Sequence, residues 1–179
     1  MRIFKENAVG LVIDIQERLF PLIYENEIIA KNTAILVQGL KSLAIPIIFT
    51  QQYTKGLGPS IQQVREMMDA DPIEKISFSC CDESNFSARL SGLNKKFVII
   101  SGIETHVCVL QTVIDLINLG YVPVVIEDCV SSRRLNDKNV AIGRMRGEGA
   151  VISTYESILF ELLRYSGTPE FKEISRLVK

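Results

Sequence analysis

Apolar and polar residues follow two different periods along the chain. From Ala8 to Ile13 the sequence AVGLVI is almost entirely apolar, which is typical of a strand buried on both faces of a parallel sheet. From about Glu27 to Leu43 the apolar residues recur at helical spacing, and Pro46 interrupts this pattern. A second apolar run covers Ile45 to Thr50. The N-terminal part of the chain therefore predicts a strand, a helix and a second strand.

The same alternation continues to the end of the chain. Strands that alternate with helices imply a parallel sheet with helices on both faces. We predict an α/β fold in one domain over residues 1–179, a three-layer α/β/α, Rossmann-like arrangement with a mostly parallel sheet of about six strands. The further predicted elements are a short helix Ser60–Met68, a helix Asp82–Leu90 capped by Asp82, a strand Phe97–Ser101, a helix Val107–Leu119, a strand Val122–Ile126, a helix Asn136–Gly147, a strand Ala150–Thr154, a helix Tyr155–Tyr165 and a helical turn or two after Thr168.

The composition narrows the choice of partners. The 179 residues are 47% hydrophobic and 23% charged, with a net charge of −1 and no long run of one sign, so we expect neither nucleic acid nor a membrane as partner. No apolar run approaches the roughly 18 residues of a membrane span, and the N-terminus lacks the apolar segment of a signal peptide. We therefore expect a cytoplasmic protein whose four cysteines are free thiols.

The stretch Phe97 to Thr112, FVIISGIETHVCVLQT, is the strongest chemical signal in the sequence. It runs from a predicted strand through Gly102 into a predicted helix, with Cys108 near the helix start. Backbone N–H groups at a helix N-terminus favour a thiolate, so we expect a lowered pKa for this thiol and a nucleophilic role. Free cysteine is also a common packing residue, and on residue type alone this simpler interpretation stays open.

A nucleophilic thiol needs a proton acceptor. Asp14 ends the first predicted strand, and a buried carboxylate at that sheet edge can accept a proton, although aspartate is also a common helix cap. Lys75 lies in an irregular segment and could balance the charges of the other two residues or be a solvated surface lysine. His106, the single histidine, is two residues before Cys108 on the same turn and fits pocket lining better than general base catalysis.

Three segments together resemble the isochorismatase-like cysteine hydrolases, the superfamily that includes nicotinamidases and N-carbamoylsarcosine amidohydrolase. They are LVIDIQ around Asp14, EKISFS around Lys75 and SGIETHVCVLQT around Cys108, and the likeness runs from about residue 8 to residue 158. The resemblance implies Asp14 as general base, Lys75 as its charged partner and Cys108 as nucleophile. It also implies a homo-oligomer.

The resemblance further implies a cis peptide between Ile103 and Glu104, and an oxyanion hole formed by the backbone N–H groups of Glu104 and Cys108. Residues that flank the three catalytic residues in the sequence are candidates for substrate binding. These candidates are Gln16, Leu19, Gln52, Tyr53, Phe78 and His106.

The sequence also departs from part of this superfamily. Nicotinamidases carry a second acidic residue and histidines after the first two strands that bind a metal, whereas these regions read ERLFPLI and TQQYTKGLGP here. We therefore expect no metal and no other cofactor. The segments TQQYTKGLGP, GYVPVVIEDCVSSR and AIGRMR look more like the subgroup called isochorismatase domain-containing proteins.

The resulting hypothesis is a metal-independent cysteine hydrolase that cleaves a C–N bond of a small amide or carbamoyl compound through a thioester. The alternative from another class is a binding or scaffold protein with a catalytically idle thiol. A thiol-based redox protein is a third hypothesis, which lacks an evident resolving cysteine beside Cys108 in the sequence.

Overall fold

Six parallel strands form a single sheet in the order β3, β2, β1, β4, β5, β6. The computed structural model describes residues 1–179, and it confirms the predicted α/β/α layering with an all-parallel sheet. The strands are β1 (Ala8–Ile13), β2 (Ile47–Gln52), β3 (Ile73–Lys75), β4 (Phe97–Ile103), β5 (Val122–Ser131) and β6 (Val151–Ser153).

Helices cover both faces of the sheet. Apolar residues of α1, α7 and α8 pack on one face, and those of α4, α5 and α6 pack on the other. Their packing explains why nearly continuous apolar runs form the central strands. The helices are α1 (Asn26–Ser42), α2 (Thr54–Leu57), α3 (Gln62–Arg65), α4 (Ser84–Leu93), α5 (Leu110–Asn118), α6 (Leu135–Gly147), α7 (Tyr155–Leu163) and α8 (Pro169–Leu177).

The two central strands, β1 and β4, are in close backbone contact at their carboxyl ends. Every residue of both strands is buried, and Ile13 lies in register with Gly102. Gly102 has a φ of 129°, and a Cβ atom there would lie 2.2 Å from the carbonyl oxygen of Ile13. Only glycine fits this position, so the strand ends that carry the candidate residues are held directly against each other.

Several predicted boundaries differ from those in the structure. The predicted helix over Ser60–Met68 is only the single turn α3, and the predicted helix after Val107 begins as a π-helical turn, Thr105–Val109. Both β4 and β5 continue beyond their predicted ends because their last residues pair with each other. No helix is both long and apolar enough to cross a membrane.

The predicted cap of α4 was also wrong. Asp82 belongs to a 3₁₀ turn, Cys80–Asp82, and Glu83 occupies the N-cap position. The Glu83 side chain does not cap the helix. It turns back toward the segment after β3 and accepts hydrogen bonds there.

Candidate active site

Asp14 is the first residue after β1 and has a φ of 53°. Its side chain is 1% exposed, and its Oδ1 accepts a 2.7 Å hydrogen bond from Thr50 Oγ1 at the end of the neighbouring strand β2. Parallel strands place their carboxyl ends at one edge of the sheet, where ligands of such folds bind. The end of β2 thus helps to orient the carboxylate that follows β1.

Lys75 closes β3 and is paired in register with Gln52 of β2. Its side chain is 1% exposed, and its Nζ lies 2.7 Å from Asp14 Oδ2. The ammonium donates to Gln52 Oε1 at 2.6 Å and to the carbonyl oxygens of Ser77 and Phe78 at 3.2 and 3.1 Å. The ammonium therefore has four close oxygen neighbours, and only Asp14 Oδ2 among them carries a negative charge.

Burial and mutual attraction act in opposite directions on this ion pair. Burial raises the pKa of Asp14 above 3.8, and the charge of Lys75 limits that rise. For Lys75, burial lowers the pKa, but the negative charge of Asp14 raises it, so that the pKa ends above 10.5. The site at neutral pH therefore holds a charged lysine beside a carboxyl group with an increased affinity for a proton.

Cys108 lies inside the π-helical turn that follows β4. Its side chain is buried and within hydrogen-bonding reach of Asp14, so the thiol is next to the group predicted to accept its proton. Burial and the charge of Asp14 raise the thiol pKa to about 12. The expectation of a lowered pKa was therefore wrong, because burial and a nearby carboxylate outweigh the field of the helix start. The resting form is the thiol.

The segment between β4 and Cys108 also supplies candidate donors for an oxyanion. The Ile103–Glu104 peptide is cis, and the buried Glu104 does not use its N–H in any backbone hydrogen bond. The Glu104 carboxylate accepts bonds from the Arg133 backbone N–H at 3.1 Å and from Arg133 Nε at 3.0 Å. The turn is thus fixed to the residues after β5, close to where His106 Nδ1 meets Ser132 Oγ at 2.9 Å.

The candidates for substrate binding fall into different environments. Gln16 is 0% exposed, and its amide donates to the carbonyls of Gln52 and Gly58 and accepts from the backbone N–H of Gln52, which fixes the loop after β2. Leu19 packs against the apolar cluster between the sheet and α1. Gln52 binds Lys75 directly. Tyr53 and Phe78 flank Lys75 with exposed rings, and His106 lies on the turn that carries Cys108.

Sequence reasoning missed three residues around the site. Thr50 was placed in a strand without a role, and Glu83 was not considered. Cys80 has a buried thiol near Thr50 and Thr112, and burial together with the charge of Asp14 raises the pKa of this thiol to about 12. Thr50 is a polar residue at the end of a predicted apolar strand, and this position in the sequence indicates a possible role at the site. The contacts of Glu83 arise because its side chain turns back toward the segment after β3, and no hydrophobic period in the sequence predicts such a contact.

Comparison with known proteins agrees with the fold. A family model described as the isochorismatase domain matches residues 8–157. The chain belongs to the isochorismatase family. Isochorismatase domain-containing protein 2 of Danio rerio is 36% identical over 177 residues, which cover 99% of this chain and 89% of that protein.

Solved structures of isochorismatase-fold proteins superpose closely on this one. A Caenorhabditis elegans protein described as MAR1 ribonuclease gives a TM-score of 0.93 at 36% identity, with 99% of this chain and 92% of that one covered. The YcaC gene product of Escherichia coli, described as an octameric hydrolase of unknown specificity, gives a TM-score of 0.92 at 24% identity, with 99% and 90% covered. The second likeness concerns the fold alone.

Proposed function

We propose that this isochorismatase-family protein is a metal-independent cysteine hydrolase that cleaves a C–N bond of a small amide or carbamoyl compound. The observation that carries the proposal is the buried carboxylate of Asp14, which is next to both the Lys75 ammonium and the Cys108 thiol. A thiol beside a base that is itself oriented by a third group is the general arrangement for nucleophilic catalysis.

The first half of the reaction forms a thioester. Asp14 takes the thiol proton as Cys108 Sγ attacks the carbonyl carbon, which gives a tetrahedral intermediate with a negative oxygen. The N–H groups of Glu104 and Cys108 bind that oxygen. Asp14 then gives its proton to the leaving nitrogen, the C–N bond breaks, and ammonia or an amine departs.

Water completes the cycle. Asp14 is again ionised and takes a proton from the attacking water, whose oxygen bonds to the thioester carbon. Collapse of the second tetrahedral intermediate breaks the C–S bond, and the proton held by Asp14 returns to the sulfur of Cys108. Lys75 remains charged throughout and limits how far the pKa of Asp14 rises, so that Asp14 can act as base and acid in turn.

The side chains after the first two strands have other partners than a metal. Glu17 Oε1 pairs with Arg65 Nη1 at 2.8 Å, and the Gln52 amide is held by Lys75 and by the carbonyl of Ile76. No group of three or more His, Cys, Asp and Glu side chains is arranged to hold a metal ion. These residues do not fit a metal site of the nicotinamidase kind, and the proposed steps use none.

A homo-oligomer is part of the same proposal. Large apolar side chains remain exposed on this chain, among them Leu22, Ile28, Leu135 and Val140, and exposed apolar surface of this kind often marks an interface. Light scattering on the purified protein tests this point, and a monomeric mass at micromolar concentration contradicts it.

Release of ammonia or amine from a panel of small amides, ureas and carbamoyl compounds tests the reaction. The wild type should turn over at least one compound, Cys108→Ala should turn over none, and Cys81→Ala, the matched control, should retain the wild-type rate. Hydrolysis that survives in Cys108→Ala contradicts the mechanism. RNA is tested separately for strand cleavage because the Caenorhabditis elegans protein is named a ribonuclease, although a net charge of −1 provides little attraction for a phosphate backbone.

A further inference from the structure

The segment Ile76–Ser79 encloses the ammonium group of Lys75. Two of the three acceptors of Lys75 are backbone carbonyls of this segment, at Ser77 and Phe78. The segment follows β3 directly and belongs to neither a helix nor a strand, so no regular backbone ladder fixes these two carbonyls. Something else has to hold them in place.

The carboxylate of Glu83 supplies that support. Its Oε1 accepts hydrogen bonds from the backbone N–H of Ile76 at 2.9 Å, from the backbone N–H of Ser77 at 3.1 Å and from Ser77 Oγ at 2.7 Å. Two backbone N–H groups of one short segment thus converge on one oxygen atom, and the Ser77 hydroxyl, which also lies 2.8 Å from the carbonyl oxygen of Ser79, is within reach of the same atom. Hydrogen bonds to a charged acceptor are about twice as strong as neutral ones.

Other features of Glu83 agree with this assignment. It occupies the N-cap position of α4 yet leaves the helix without a side-chain cap, although a capping side chain commonly stabilises a helix. The bonds from Ser77 and Ile76 hold the pKa of Glu83 below 4.5, so it is fully charged at neutral pH. An ordinary surface glutamate, such as Glu66 with its single bond to Gln62, has no comparable set of donors.

We propose that Glu83 is a positioning residue for Lys75, acting through the carbonyls of Ser77 and Phe78. The assignment rests on the proposed function, in which Lys75 sets the proton affinity of Asp14. Without Glu83 the two carbonyls are free to move away, and the Lys75 ammonium then loses two of the hydrogen-bond acceptors that keep it beside Asp14. Small displacements of this kind can cost up to about a hundredfold in rate.

Three variants of the full chain test the proposal. Glu83→Ala removes the acceptor, Glu83→Gln keeps a carbonyl oxygen at the same place, and Glu66→Ala is the matched control for loss of a surface carboxylate. For the best amide substrate, Glu83→Ala should lower kcat about tenfold or more while KM changes little. Glu83→Gln should restore most of kcat, and Glu66→Ala should equal the wild type. Thermal unfolding identifies any variant that fails to fold.

A readout without substrate separates this proposal from the proposed function. In protein labelled with ¹⁵N-lysine, the Lys75 ammonium resonance, assigned with Lys75→Met, should shift or broaden in Glu83→Ala and stay near its wild-type position in Glu83→Gln and Glu66→Ala. An unchanged resonance in folded Glu83→Ala overturns the role of Glu83. If the wild type hydrolyses no compound of the panel, the proposed function fails, while the resonance still decides the role of Glu83.

Discussion

Lys75 Nζ and Asp14 Oδ2 are 2.7 Å apart, and each side chain is 1% exposed. The chain contains a second ion pair with the same separation, Lys41 Nζ to Asp69 Oδ1 at 2.7 Å, but its side chains are 33% and 80% exposed. Burial is what distinguishes the two pairs, because removal of one partner from water-free surroundings leaves an uncompensated charge, whereas water replaces a lost partner at the surface.

Lys75→Met should therefore destabilise the protein by about 3 to 5 kcal/mol, since Asp14 then remains buried without its cation. The matched change Lys41→Met should cost less than about 1 kcal/mol. Urea unfolding measures both. The double variant Asp14→Asn/Lys75→Met should recover part of the loss, because it removes both charges together. Equal costs for the two single variants contradict the assignment of a buried pair.

Thr50→Val tests the hydrogen bond that Thr50 Oγ1 gives to Asp14 Oδ1. The bond favours the ionised carboxylate, so its loss should raise the pKa of Asp14 further and move the acid limb of the hydrolysis rate to higher pH. Stability should fall by about 1 to 3 kcal/mol because a buried acceptor is left unsatisfied.

Thr33→Val is the control for that change. Thr33 is 0% exposed, and its hydroxyl makes no hydrogen bond to an oxygen or nitrogen atom. The substitution should leave the pH profile unchanged and affect stability little. A shift of the acid limb in both variants would attribute the effect to general packing and not to Thr50.

The pH dependence of hydrolysis should reflect the titration of the base, Asp14, and not that of the nucleophile, Cys108. Because the pKa of Asp14 is raised above 3.8, kcat/KM should rise as the pH increases through that raised value and then stay level over the neutral range. The pKa of Cys108 is raised to about 12, so no step should occur near 8.5, the ordinary value for a thiol. A clear inflection near 8.5 that persists in Cys81→Ala would contradict a buried resting thiol at Cys108.

The free energy of unfolding should depend on pH through the raised pKa values of Asp14 and Lys75. The folded protein binds the protons of Asp14 and Lys75 more tightly than the unfolded chain does. Each contribution is fully present below the unfolded pKa and is lost as the pH rises through the folded pKa. The free energy of unfolding should therefore fall with increasing pH through both raised values, and less steeply in Asp14→Asn/Lys75→Met.

Gly102→Ala should prevent folding or destabilise the protein severely. A Cβ atom at this position would lie 2.2 Å from the Ile13 carbonyl oxygen and 2.6 Å from its nitrogen. Gly143 in α6 is the control, because a Cβ atom there meets nothing within 4 Å, and Gly143→Ala should stabilise the helix by about 0.5 to 1 kcal/mol. Soluble expression and thermal unfolding measure both variants. A folded Gly102→Ala with an unchanged melting temperature would contradict this account.

The sheet could be predicted from the sequence because its central strands are continuous apolar runs bounded by turn residues, as in β1 and β4. Two kinds of feature could not. The pKa of Cys108 depends on how much of the chain surrounds the thiol, and helix position alone suggested the wrong direction. The contacts of Gln16 and Glu83 also depend on loops that fold back on the sheet edge, and no hydrophobic period describes such loops.

The order of the strands decides when the site can exist at all. Lys75 is the last residue of β3, Asp14 and Cys108 follow β1 and β4, and β2 supplies Thr50 and Gln52. Pairing of strands so distant in the chain is slow and occurs late in folding. A partly folded chain, or a fragment that lacks any of these four strands, therefore contains an ordinary thiol in place of a base-assisted nucleophile. The chain acquires its chemistry only on completion of the sheet.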